Sequence, residues 1–263
     1  MHRYASLVLV ACGSSNAPKP APTSTAKPAR YVTVPEATVA VAGIDGPVLV
    51  DDGGRLYLIS EAPTTSKVPI PDDAKPIALV DLPQALTATH GKIRIRGGRP
   101  YPTETQPVPV VMAADTPGSR VAEIEDALIA SNHCFVPVVT SGGDTGALVD
   151  GCRRVYADED PDEHVVLTIV VTHQEYWVGL SRVNEFQQIP KVASGDHDHD
   201  KLEITLAEHK RSAFFSERDD LELAGDPDVA YRSLIRAGGI ALQAGFSKID
   251  FVSRGRAKAN PRL

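Results

Sequence analysis

The sequence predicts an α+β protein made of two tandem ββαβαβ units, each a small mixed sheet with two helices on one face. Three observations predict it. First, the segments 110–139 and 221–250 align without a gap, VVMAADTPGSRVAEIEDALIASNHCFVPVV over LELAGDPDVAYRSLIRAGGIALQAGFSKID. Second, each segment reads as a short apolar strand, an Asp in a turn, a stretch of helical period and a second apolar strand. Third, each copy is preceded by two apolar runs around a polar turn, PVLVDDGGRLYLIS at 47–60 and LTIVVTHQEYWVGLS at 167–181, the pattern of a hairpin.

The elements follow in chain order. The chain opens Met1-His2-Arg3, continues apolar through Ala11 and reaches Cys12. A basic start followed by a short apolar core describes an export signal, assigned here to residues 1–11. The plain alternative is an apolar patch with a buried cysteine. Leu9-Val10-Ala11-Cys12 resembles the lipobox of bacterial lipoproteins. That resemblance implies lipidation at Cys12, and Gly13 in place of Asp after it implies the outer membrane, facing the periplasm. Residues 12–36, rich in Pro, Ala, Ser and Thr, lack apolar periodicity and read as a tether.

The first unit is expected over 37–140. Its hairpin turns at Asp-Gly-Gly, and a short helix is expected at Asp81–Thr89 around Leu82 and Leu86. Residues 91–105, with KIRIRGGRP, form an insertion. Val121, Ile124 and Leu128 then mark a second, narrow helical face. An acidic linker, 141–163, contains SGGDTG and ADEDPDE. The second unit is expected over 164–253. Its helices are expected at Asp200–Phe214, around Leu202 and Leu206, and along Tyr231, Leu234, Ile235, Gly238, Ala241 and Leu242. Gly238 and Gly239 cost helix propensity, about 1 kcal/mol each, and read as small residues for a close approach. Gly245 suits the left-handed residue that ends a helix. A loop from Val183 to Gly195 and a basic tail, 254–263, complete the chain.

Composition narrows function. A net charge of -7 and 5% aromatics argue against nucleic acid as partner. No apolar run reaches the roughly 20 residues that span a bilayer. No HExxH, GxSxG, Walker loop or CxxC pair is present, and no enzyme activity or cofactor is expected. Asp196-His197-Asp198-His199-Asp200 is the one cluster with metal-ligand chemistry. His197, Asp198 and His199 are therefore weak metal candidates, set against a solvated loop. Asp115 and Asp226 end strands, where a carboxylate caps the following helix. A disulfide between Cys134 and Cys152 suits an oxidising compartment, with two free thiols as the alternative.

The repeated unit resembles the periplasmic domain of the ExbD/TolR biopolymer-transport family. The match rests on Leu223-Ala224-Gly225-Asp226 and Ala244-Gly245-Phe246 followed by Ile249 to Val252, and more loosely on Met112-Ala113-Ala114-Asp115 and His133-Cys134-Phe135. The family carries a proton-relaying Asp in a membrane helix before this domain; that helix is missing here, so motor activity is not carried over. What the resemblance implies is an envelope location, self-association into a homo-oligomer, and contact with peptidoglycan or an envelope complex. The expected function is a binding module anchored to the membrane by lipid. The alternatives are a metal-binding protein or metal-dependent enzyme using the His197/His199 loop, and a purely structural self-association module.

Overall fold

The computed structural model describes residues 30–89, 94–96 (backbone only), 106–149, 165–183 and 185–261. The signal segment 1–11, Cys12, most of the 91–105 insertion, and Cys152 with most of the acidic linker lie outside these residues.

The first unit runs β1 (Arg30–Thr33), β2 (Gly43–Asp45), β3 (Val48–Asp51), β4 (Leu56–Ile59), β5 (Lys67–Ile70), a 3-10 turn (Leu79–Asp81) leading into α1 (Leu82–Thr87), β6 (Arg94–Arg96), β7 (Gln106–Val111), α2 (Gly118–Ile129), β8 (His133–Ser141) and β9 (Asp144–Ala147). The second runs β10 (Leu167–Val171), β11 (Glu175–Leu180), β12 (Glu185–Pro190), α3 (His199–Arg211), β13 (Asp220–Gly225), α4 (Tyr231–Gln243), β14 (Lys248–Ser253) and a 3-10 turn (Arg254–Arg256).

Each unit holds one five-stranded mixed sheet, in the orders β4-β3-β7-β8-β9 and β12-β11-β10-β13-β14. Four strands correspond in order and direction. β4-β3-β7-β8 matches β11-β10-β13-β14, an antiparallel hairpin followed by two parallel pairings. A parallel pair needs a crossover, and the second helix of each unit supplies the one between its last two parallel strands. The central strands are apolar on both faces, as a covered sheet requires: all of β10 is buried, and so are all four residues of β3. Leu82, Leu86, Leu202 and Leu206 are fully buried, as their spacing predicts. The two tandem α+β units expected from the repeat are thus the observed fold.

The elements added to this shared core depart from expectation. The tether's end is structured: β1 pairs with β5, and Val32 and Val34 are buried. The arm then runs along the outer edge of the sheet, with Ala37 N–H on Thr140 O (2.8 Å) and Val41 N–H on Ala147 O (2.9 Å), covering an edge otherwise open to pairing. SGGDTG, expected in the linker, is a hairpin turn. Gly142 and Gly143 have φ of 60° and 94°, and β8 pairs with β9 beyond them. Two successive positive φ values are what a two-residue primed turn demands. The 183–195 loop contains β12, which pairs with β11. The tail folds back: Lys258 N–H bonds Glu222 Oε2 (2.9 Å) and Ala259 is buried.

α3 ends at Arg211, short of Phe214. α4 ends as predicted, on Gly245 at φ 96°, with Phe246 N–H reaching Ala241 O. In the first unit the left-handed residue is Asn132 (φ 58°), two positions before the Cys134 that the alignment sets opposite Gly245. Among the described residues no helix is long and apolar enough to cross a membrane.

Candidate functional site

The first turn of an α-helix has N–H donors without intrahelical partners. Asp115 and Asp226 were the expected side-chain caps, and neither acts as one. The N-cap residues are Pro117 and Ala230, without a side-chain cap bond. The donors are met from the other unit instead. Gly118 N–H bonds Val229 O (2.7 Å) and Ser119 N–H bonds Pro227 O (2.9 Å). In return Tyr231 N–H bonds Thr116 O and Arg232 N–H bonds Ala114 O, both 2.8 Å. Pro117 and Ala230 form an antiparallel bridge between these pairs. Each unit's main chain therefore caps the second helix of the other. Asp115 is left exposed, and Asp226 forms an ion pair with Arg254.

Gly118 permits this approach. A Cβ there would lie 2.2 Å from Asp226 O and 3.3 Å from Val229 O. Away from the helix starts the seam is apolar. α2 packs on β14. Phe135 meets Tyr231 edge-on at 6.3 Å and Phe251 at 5.6 Å. Gly238 approaches Leu148 and Gly239 approaches Thr38. The small residues of α4 thus face the first unit as well as its own sheet, which explains a buried surface wider than one stripe.

A carboxyl sits in this seam. Glu125 of α2 is 1% exposed. Its Oε2 accepts Ser253 N–H at 3.2 Å, while its Oε1 has no hydrogen-bond partner among the described residues. Burial, and next the neighbouring Asp126 charge, push its pKa up to about 8, against the opposing pull of Arg256 and Ser253 N–H. At neutral pH it is chiefly protonated. It borders a cleft lined by Val121, Leu223, Leu234 and Phe251. The cavity measures about 10 Å³, no more than the space one water molecule needs. Thr116 Oγ1 and Tyr231 Oη, in the same seam, also have no partner among the described residues. Sequence reasoning passed over Glu125, although it stands four residues after Val121 and three before Leu128. A carboxyl on the apolar stripe of a helix was the available signal.

A second carboxylate is buried at the end of β3. Asp51 Oδ1 accepts from Arg120 Nη2 (2.8 Å) and Nε (3.1 Å), and Arg120 also meets Glu123. This ties the first hairpin to the start of α2.

The His-Asp loop is built around a fully buried Tyr176. His197 stacks on its ring at 4.6 Å, and its Nε2 lies 2.9 Å from Thr172 O. A carbonyl only accepts, so that nitrogen carries the proton. His199 Nδ1 lies 3.0 Å from the Tyr176 hydroxyl. Burial, the largest influence on each, lowers both histidines below the usual imidazole range. Asp198 caps α3 by accepting Lys201 N–H at 2.9 Å. Each of the three weak metal candidates thus has a partner within the fold, and among the described residues no group of three or more His, Cys, Asp or Glu is placed to share a metal ion. Cys134 is half of a disulfide; Cys152, its expected partner, lies outside the described residues.

Comparison with known protein families, with curated proteins and with solved structures finds no match to this chain.

Proposed function

We propose that this chain is a non-enzymatic lipoprotein of the bacterial cell envelope, anchored through Cys12 on the outer membrane and facing the periplasm. Its two units, which resemble the ExbD/TolR periplasmic domain, bind peptidoglycan or an envelope protein complex of the transport type. The observation that carries this reading is the reciprocal capping of α2 and α4. It makes the seam a fused pair of like domains. The strand-end aspartates, where the resemblance is densest, stand beside that seam rather than in a catalytic cleft. A function in which two copies act as one double-headed surface fits this arrangement better than one that moves protons. The disulfide at Cys134 suits an oxidising compartment.

Mass spectrometry of the native N-terminus should find acyl chains on Cys12, and Cys12→Ala should release the protein from membranes. The purified full chain should co-sediment with peptidoglycan sacculi or be crosslinked in cells to an envelope protein. Folded protein that is unacylated and fails both binding assays would sink the reading.

A further inference from the structure

We propose that Glu125 is a proton-operated latch on the seam: the two units dock while its carboxyl is neutral and come apart when it ionises. On α2 the neighbouring charge is Asp126. The turn after β14 contributes Arg256, already paired with Asp126 at 3.0 Å. β14 contributes Phe251 and Val252, and Ser253 with one N–H donor. β13 contributes Leu223 and Gly225, and α4 contributes Leu234. The only full cation among these is shared with a second carboxylate. One N–H and half an arginine do not replace the water that an ionised carboxylate loses on burial.

The seam has little margin to absorb such a charge. Thr116 Oγ1, Tyr231 Oη and Glu125 Oε1 are buried in it without partners among the described residues. Leaving a polar group dry and unpaired opposes docking, and opening the seam hydrates all three together. The closed seam therefore binds the Glu125 proton more tightly than the open one. A group whose value is raised in the closed state, here to about 8 from an ordinary 4.5, favours closure most at low pH. That preference declines as pH rises and is gone once pH has passed through the raised value. The sign is fixed: alkali opens, acid closes. Glu125 lies on α2, outside both sheets, so the amides of β3 and β10 report whether each unit stays folded while the seam parts.

Amide hydrogen exchange on the full chain between pH 6 and 9, corrected for intrinsic rates, reads this directly. Gly118, Ser119, Tyr231, Arg232 and Ser253 should lose protection as pH rises from 6 to about 8, roughly tenfold per unit, and level off above it, while the amides of β3 and β10 keep theirs. Glu125→Gln, neutral at every pH, should hold the seam amides protected throughout. Seam protection that is constant in the natural protein, that falls equally in Glu125→Gln, or that falls together with β3 and β10, overturns the proposal. Should Glu125→Gln fail to fold, Asp126→Asn decides. It removes a charge that raises Glu125 and frees Arg256, so the closed seam tolerates the ionised carboxylate better: the loss of protection must be smaller and level off at a lower pH, and an unchanged profile overturns the latch.

Discussion

At the scale of single residues, Gly118 decides whether the halves of the molecule meet. Alanine there would bring its methyl within 2.2 Å of Asp226 O. A backbone oxygen cannot rotate away as a side chain can. Gly118→Ala should cost at least about 2 kcal/mol, as overpacking does, measured by urea denaturation. An unchanged midpoint would mean the seam is not as close as the fold has it. Gly118 was invisible to sequence reasoning because nothing local requires it: it opens a helix, a position many residues fill. Only a contact from a residue more than a hundred positions away selects glycine. Gly245 is the opposite case. Its positive φ is a local demand of the helix end, and the sequence shows it plainly. Asp115 and Asp226 failed as caps for the same reason that hid Gly118. A long-range partner reached the helix N–H groups first.

At the scale of elements, α3 shows how a residue can be correctly singled out for an incorrect role. Asp198 drew notice beside two histidines, and it serves as the N-cap. Asp198→Ala should lower stability by about 1 kcal/mol, read from the same urea titration, with Asp198→Asn nearly silent because its amide oxygen also caps. A loss shared by both variants would point to charge rather than capping. The histidines nearby set a pH dependence for this region. His197, His199 and His209 are all held low, chiefly by burial. A base whose folded value is depressed supports the fold above its ordinary value, and that support is lost as pH falls through the lower one. Fluorescence of Trp177, the single tryptophan, should therefore show a falling urea midpoint on acidification below about pH 6.5. His199→Gln should blunt the fall, and a slope unaltered by it would remove His199 from the account. Central elements such as β10 and α4 were legible from period and apolar content. β9, β12 and β1 were not: each lies at a sheet margin, is short or polar, and exists because a neighbour has an edge to pair with.

At the scale of the whole molecule, the two units complete one another's helices, and their unfolding should be coupled. Trp177 reports the second unit, whereas far-ultraviolet circular dichroism reports both. The two transitions in urea should coincide at pH 7. A clear separation would mean that the seam contributes little, and Gly118→Ala should produce just such a separation. The pH responses of the two regions run in opposite directions. Acid weakens the second unit through its buried histidines, and alkali weakens the seam through Glu125, so stability should peak between them. The repeat made the tandem organisation readable, since each copy carries its own periods and turns. How the copies meet was not readable. At the helix starts that meeting is made of backbone hydrogen bonds, to which side-chain patterns are blind.

The N-terminal arm has a mechanical consequence. Any tension entering the chain ahead of residue 30 arrives first at β1 and its ladder with β5, then at the stretch from Pro35 to Ala42 laid against β8 and β9. The central sheet is loaded last. The arm is therefore a sacrificial seam allowance: it can peel strand by strand while β3, β7 and β8 remain intact. A stretched molecule would reveal the bare margin of its first sheet before losing its core.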